Sequence, residues 1–197
     1  MTYATARGGA DRRVRFEATA LPLMPALHKT ALRLTRDPQL AADLVQDTCL
    51  RAYRAFDQFT PGTNCRAWLF TILYSVFNTG YRRTQRELTG MQMAAFEVDY
   101  ENWLGGSDAM PVAPVQDAAV DAMDPRVQRA LDALPEAFRS AVTLVDIGEL
   151  SYEEAATVMG CAVGTVRSRL SRARKVLFAA LLSYARETGY ARLGART

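Results

Sequence analysis

The sequence has one histidine, His28, and three cysteines, Cys49, Cys65 and Cys161, that stand far apart. No CxxC spacing occurs, so neither a disulfide framework nor a zinc site is indicated. His28 has no neighbouring ligand or nucleophile and reads as an exposed or boundary residue, not a catalytic one. Glycine-rich phosphate loops and nucleophile elbows are missing too. These absences exclude the common routes to catalysis, cofactor chemistry and metal binding; the chain reads as a non-enzyme with no cofactor. No apolar run approaches the roughly 20 residues of a transmembrane helix. Arg7, Arg12, Arg13, Arg15 and the segment Leu21–Leu27 imitate a signal peptide, but Glu17, Pro22 and Pro25 interrupt it and no small-residue cleavage site follows. The expectation is a cytoplasmic protein without membrane insertion. The composition, 49% hydrophobic and 23% charged over 197 residues, is that of a folded chain with room for two small domains.

One more absence is local. From Met91 to Pro125 there is no Lys or Arg, while Glu97, Asp99, Glu101, Asp108, Asp117, Asp121 and Asp124 are acidic. With Gly105, Gly106, Pro111 and Pro114 in the same stretch, it reads as a linker. Basic clusters lie on either side: Arg82, Arg83 and Arg86 before it, and Arg167, Arg169, Arg172, Arg174 and Lys175 after it. The net charge of +3 conceals this segregation. Two basic surfaces on an acidic tether suit two contacts with a polyanion, although a charge run is more often only a solvated helix face.

The hydrophobic pattern is helical throughout. Asp37-Pro38 is a helix start, a capping carboxylate followed by proline at the first helical position. Behind it Leu40, Leu44, Val45, Cys49, Ala52, Tyr53 and Phe56 share one face. Asp43, Asp47, Leu50 and Arg54 share the opposite one, which is a solvated face carrying one leucine. Phe59-Thr-Pro-Gly-Thr-Asn64 is a loop. The next helix begins near Arg66 and places Trp68, Leu69, Ile72, Leu73, Val76 and Phe77 in a buried stripe. Its other side presents Thr71, Ser75, Asn78 and Arg82, flanked by Tyr74 and Tyr81. Such aromatics either stack on unpaired bases or border the core, and the pattern fits both.

The second half carries the more specific motif. Ser151-Tyr-Glu-Glu154 is a capping box. A short helix then runs to Met159, breaks at Gly160, and is followed from Val163 by a long basic helix. Ala156, Gly160 and Val166 have the spacing of a helix-turn-helix, in which a small residue lets the helices touch, glycine makes the turn and an apolar residue anchors the second helix. With Val166, Leu170 and Ala173 inward, Ser168, Ser171, Arg172 and Lys175 form an outward stripe flanked by Arg167 and Arg169. Arg can reach guanine bidentately, and Lys meets phosphate.

Taken in order, Asp43-Leu-Val-Gln-Asp47, Arg51-Ala-Tyr-Arg-Ala-Phe56 and Gly62-Thr-Asn-Cys-Arg-Ala-Trp-Leu-Phe-Thr-Ile72 resemble domain 2 of the extracytoplasmic-function sigma factors. Ala130-Leu-Asp-Ala-Leu-Pro-Glu136, Ser151-Tyr-Glu-Glu-Ala-Ala156 and Val163-Gly-Thr-Val-Arg-Ser-Arg-Leu170 resemble domain 4 of the same family. The resemblance leans toward the thiol-oxidative-stress and alphaproteobacterial general-stress types. It implies an all-α protein of two small helical domains: a tail over 1–13, domain 2 over 14–90, an acidic linker over 91–123, domain 4 over 124–186 and a tail over 187–197. It also implies that Asp43, Gln46, Asp47, Leu50 and Arg54 dock on the β′ clamp helices of core RNA polymerase, with domain 4 on the β flap. The minus-ten element would meet Phe59, Thr60, Pro61, Gly62, Thr63 and Asn64, together with Ser75, Asn78, Tyr81, Arg82 and Arg83. The minus-thirty-five element would meet Thr165, Arg167, Ser168, Arg169, Ser171, Arg172 and Lys175. Promoter DNA and an anti-sigma factor are the further partners implied. Where the family often has Asn, this chain has Ser75. Two other classes compete: a helix-turn-helix regulator binding an operator as a dimer, which leaves the N-terminal motifs unused, and an adaptor that sequesters another factor.

Overall fold

Local signals set where the helices of the first half begin and end. In the computed structural model, which describes residues 3–80 and 123–188, the chain starts with α1 (Tyr3–Ala20). A helix therefore occupies much of the stretch expected as a tail. Ion pairs of Arg13 with Glu17 (2.7 Å) and Arg15 with Asp11 (3.1 Å) run along it at helical spacing. Arg12 ties it to Asp57 (3.1 Å) and lies over the Tyr53 ring. A short 3-10 turn at Leu21–Leu23 leads into α2 (Met24–Thr35). Asp37 caps α3 (Pro38–Ala55) as its pattern predicts, its carboxylate accepting from the Leu40 amide at 2.9 Å. Helix α4 spans Cys65–Gly80. The Asn64 side-chain oxygen accepts from the Ala67 amide at 3.3 Å at the start of α4.

Leu27, Ala31, Leu34, Ala41, Leu44, Ala52, Leu69, Leu73, Val76 and Phe77 are buried together, with Phe16 and Ala20 of α1 closing the bundle. One expectation needs correction, and one open reading is decided. Leu40 lies exposed at the first turn of α3, and Ala41 and Thr48 take the inward positions. Tyr74, which the pattern left between base stacking and core, is buried at 2% exposure beside Phe77. Phe70 is fully buried as well. Helix α4 therefore buries Phe70 and Tyr74 in addition to Leu69, Leu73, Val76 and Phe77 of its expected stripe, with Trp68 and Ile72 half-buried against the core.

The second half supplies the cover for Phe70. It comprises α5 (Pro125–Asp132), α6 (Glu136–Val142), a π turn (Thr143–Ile147), α7 (Tyr152–Met159) and α8 (Val163–Glu187). No strand occurs among the described residues. Helix α7 packs on α4, and α2 packs on both α6 and the π turn, so the buried residues of both halves form one connected cluster. At the crossing, a Cβ on Gly148 would stand 2.7 Å from the Phe70 ring and 2.6 Å from the Leu144 carbonyl oxygen. Only glycine admits that approach. The acidic linker, apart from its last residue Met123, falls outside the described residues.

Helix α7 has both halves of its capping box. The Ser151 hydroxyl accepts from the Glu154 amide (3.1 Å) and the Glu154 carboxylate accepts from the Ser151 amide (2.8 Å). This backbone donor, more than any other partner, holds the Glu154 carboxyl below its ordinary range. Ser151→Ala is expected to lower stability by about 1 kcal/mol, read from urea melts. A group with a depressed folded pKa contributes fully above its unfolded pKa, about 4.3 for Glu. The stability gap between wild type and Glu154→Gln should therefore be flat above about pH 5 and close as the pH falls below about 4.

Candidate nucleic-acid and polymerase interface

The helix-turn-helix forms as its spacing requires. Helix α7 ends at Gly160, whose φ of +61° is left-handed and strained for any residue with a Cβ. The amides of Gly160 and Cys161 return to the carbonyls of Thr157 and Ala156 (3.2 and 3.0 Å), satisfying the helix end. Val166, Leu170, Ala173 and Val176 of α8 are buried, as is Ala156 of α7, and the two helices pack on each other.

The outward face of α8 presents Arg167, Ser168, Ser171, Arg172 and Lys175 to solvent, with Thr165 half-buried at its start. Ser168 donates to the Thr165 carbonyl (3.0 Å) and keeps its acceptor sites outward. Arg167 stands 3.8 Å from Glu153 and over the Tyr152 ring. Arg169 is half-buried, with a guanidinium nitrogen 4.0 Å from the Cys161 sulfur, so it turns away from the stripe. Arg174, part of the basic run in sequence, is committed elsewhere. Two of its nitrogens donate to Asp146 (2.5 and 3.2 Å) and a third interaction reaches the Tyr152 hydroxyl (3.4 Å), which pushes its pKa up.

On α3, Asp43, Gln46, Leu50 and Arg54 are exposed along one face, and Asp47 sits half-exposed among them, paired with Arg51 at 3.1 Å. Leu50 is 49% exposed between these charges. Its apolar side chain has no role in the bundle. The Asp43–Arg54 register thus stays clear of the core, as its sequence spacing predicts.

The loop preceding α4 is built on an aromatic base. Phe59 stacks on Phe56 (centroids 5.9 Å apart) and tilts against Trp68 (5.1 Å), so its ring belongs to the scaffold that sets the loop. Thr60 to Thr63 make a turn in which the Thr63 amide and hydroxyl both donate to the Thr60 carbonyl (3.2 and 2.7 Å). Thr60, Pro61, Gly62, Thr63 and Asn64 are exposed. Ser75 is exposed one face along α4. Asn78 is half-buried, with its side-chain oxygen enclosed and lacking a hydrogen-bond partner. Tyr81, Arg82 and Arg83 lie outside the described residues.

Loop and helix-turn-helix are brought together, which sequence spacing could not reveal. The Asn64 amide nitrogen donates to the Glu154 carboxylate at 2.5 Å. Arg66 donates to the Gly148 carbonyl (3.1 Å) and pairs with Glu149 (2.8 Å). Arg66, Glu149 and Glu154 carried no functional signal in sequence, because their meaning lies in contacts between distant segments. Among the described residues no group of three or more His, Cys, Asp or Glu side chains could hold a metal ion.

Comparison with known proteins agrees with this geometry. Residues 21–87 match the family model of sigma-70 region 2, and residues 125–177 match that of sigma-70 region 4. The ECF RNA polymerase sigma factor EcfG of Rhodopseudomonas palustris is 40% identical over 161 residues, 82% of either chain. The ECF RNA polymerase sigma factor SigE of Mycolicibacterium smegmatis is 36% identical over 82% of this chain, which spans 60% of that longer relative. Among solved structures, the sigma factor RpoE of Bartonella quintana, crystallised with the anti-sigma factor NepR, superimposes with a TM-score of 0.64 at 35% identity. The alignment covers 85% of this chain and 96% of that one. Two sigma-70 regions in order, on an all-helical fold whose second half is a helix-turn-helix, place the chain in the family its motifs resemble: it belongs to the extracytoplasmic-function sigma factors.

Proposed function

We propose that this chain binds core RNA polymerase and directs it to promoters by reading a minus-thirty-five and a minus-ten element, assisting the melting of the latter. The observation that carries the reading is the joint presence of two unlike surfaces on one chain. One is the exposed basic stripe of a helix-turn-helix; the other is a charged helix face with a solvent-exposed leucine at its centre. A DNA-binding module alone has no use for the second. An apolar side chain ringed by charges is the composition of a protein-docking site.

In this reading the Asp43–Arg54 face docks on the β′ clamp helices and region 4 on the β flap. The stripe Thr165, Arg167, Ser168, Ser171, Arg172 and Lys175 enters the minus-thirty-five major groove, with Arg169 at its margin. The loop Thr60–Asn64 takes an unpaired minus-ten base on the scaffold of Phe59 and Trp68, while Ser75, Asn78, Tyr81, Arg82 and Arg83 line the nearby strand. Residues 14–90 and 124–186 act as the two functional units, and the acidic linker runs toward the polymerase cleft. Among the described residues no helix is long and apolar enough to cross a membrane; action on polymerase would place the chain in the cytoplasm. The solved relative bound to its anti-sigma factor supports control of this chain by an anti-sigma protein, and the family types its motifs lean toward make a stress regulon the expected target.

Two expected outcomes test the assignments. The double change Asp47→Ala, Leu50→Ala should weaken core-polymerase binding in pull-down titrations while altering stability by no more than about 0.5 kcal/mol, as expected of exposed positions. Unfolding of that variant would make the face structural and remove the docking assignment. In transcription from a promoter-variant library with reconstituted holoenzyme, Arg172→Ala should cost about 1–3 kcal/mol and relax preference at one or two minus-thirty-five positions. Lys175→Ala should weaken all sequences alike and lower the salt slope by about one unit. A uniform loss with Arg172→Ala would show that α8 does not sit in the groove as assigned.

A further inference from the structure

Spacing along the chain gives His28 and the cysteines no common site; the packing of α3 on α2 supplies one. Cys65 and Cys161 are half-buried against the apolar cluster. Cys49 of α3 differs, because it meets a second sulfur. Its thiol donates to the Met24 thioether, at the start of α2, across 3.1 Å and 25 positions of sequence. Both side chains are half-buried, and so is His28, which follows Met24 by one helical turn on the same side of α2. A thiol, a thioether and an imidazole thus gather on one side of the α2–α3 pair, where solvent still reaches them.

The donor set selects the ion. Thiolate with thioether is a soft pair that favours Cu(I) over hard cations, and imidazole suits copper as well. Sites that stabilise Cu(II) beside a thiolate use two imidazoles and a distant thioether, whereas this chain has a single histidine. Charge points the same way. Burial pushes the Cys49 thiol up, so a bare thiolate is disfavoured there. A monovalent cation that displaces the thiol proton leaves the charge of the site unchanged; a divalent one leaves an added positive charge in a half-buried position. Met24 is unbranched, with three rotatable bonds. By swinging outward it widens the gap between the sulfurs and admits the ion.

We propose that Cys49, Met24 and His28 form a site for Cu(I), with Cys49 as its anionic ligand. A copper–sulfur bond to Cys49 forms as the S–H bond breaks, and the proton leaves to solvent. Met24 and His28 each add a lone pair, and no oxidation state changes. The ion clips the first turn of α2 to the second half of α3. None of the three residues belongs to the surfaces assigned to DNA or polymerase, so the site stands apart from the promoter reading.

The test is anaerobic competition of the full chain with the Cu(I) chelator bicinchoninate, followed by the absorbance of the chelate. The chains compared are wild type, Cys49→Ala, Met24→Leu, His28→Gln and a control carrying Cys65→Ala with Cys161→Ala. Wild type and control should each withdraw one equivalent of Cu(I), and Zn(II) should not displace it. Cys49→Ala should abolish the withdrawal. Met24→Leu and His28→Gln should each lower the affinity at least about tenfold, the loss that even an outer-shell partner brings. Leucine keeps the volume of methionine, so that variant reports the sulfur and not the fold. Should the control fail to fold, copper-edge X-ray absorption of the loaded wild type decides: two sulfur neighbours and one nitrogen support the site, and sulfur alone overturns it. No withdrawal by wild type, binding that survives Cys49→Ala, binding lost in a folded control, or full affinity in Met24→Leu or His28→Gln would overturn it as well.

Discussion

Phe70 is fully buried, yet it falls outside the stripe by which α4 packs into its own bundle. What covers it is backbone: Gly148 comes so close that a single added carbon would collide with the ring and with the Leu144 carbonyl at the same time. The register of the second half against the first is pinned at this crossing. The chain emerges from the π turn, where the Gly148 amide reaches back to Thr143 (2.8 Å) and the Leu150 amide to Leu144 (3.1 Å). It passes through the left-handed Glu149 and enters α7 at the Ser151 cap. The position of the helix-turn-helix relative to the loop before α4 follows from that short path. So does the placing of two carboxylates against Asn64 and Arg66.

The same organisation sorts the arginines. A net charge of +3 on a chain with 24 basic residues says little about where a polyanion would bind. In the fold, several arginines are spent on structure. Arg12 fastens α1 to Asp57, Arg126 joins Glu187 (2.6 Å) and covers the Tyr184 ring, and Arg174 grips Asp146. Arg139 is buried and donates to the Leu134 carbonyl (3.0 Å). Arg167, Arg172 and Lys175 remain at the surface on one side of α8, where desolvation does not oppose a phosphate contact. A basic run in sequence thereby becomes a narrower basic stripe in space.

The elements at the junction of the halves also enclose polar side chains, among them Thr30, Arg33, Arg139, Ser140 and Thr143. An enclosed hydroxyl or guanidinium nitrogen without a partner costs about 1–3 kcal/mol. Several occur on the elements of this junction, whereas the bundle of α1 to α4 and the α7–α8 pair bury mainly apolar side chains. The two halves nevertheless share one connected apolar cluster, in which Phe70 of α4 is covered by the second half.

Local chemistry was legible residue by residue in the sequence. The Asp37 and Ser151 caps, the glycine turn at 160, the inward positions of Val166, Leu170 and Ala173, and the stranded Leu50 all follow from helical periodicity and from hydrogen-bonding groups within a few residues. The ordered motifs carried the family as well. Contacts between segments far apart in the chain were beyond it. Periodicity reports one buried face per helix, so it could not assign Phe70 and Tyr74 to the interior, nor foresee that Leu40 would stay outside. Arg66 and Glu149 look like ordinary surface charges and Glu154 like a capping residue alone until the second half folds over α4, and Arg174 looks like its neighbours until Asp146 meets it. The sequence by itself determined the helices, their faces and the family. Only the tertiary structure decided which charges are committed and which distant segments meet, because those depend on distances between elements that no local pattern encodes.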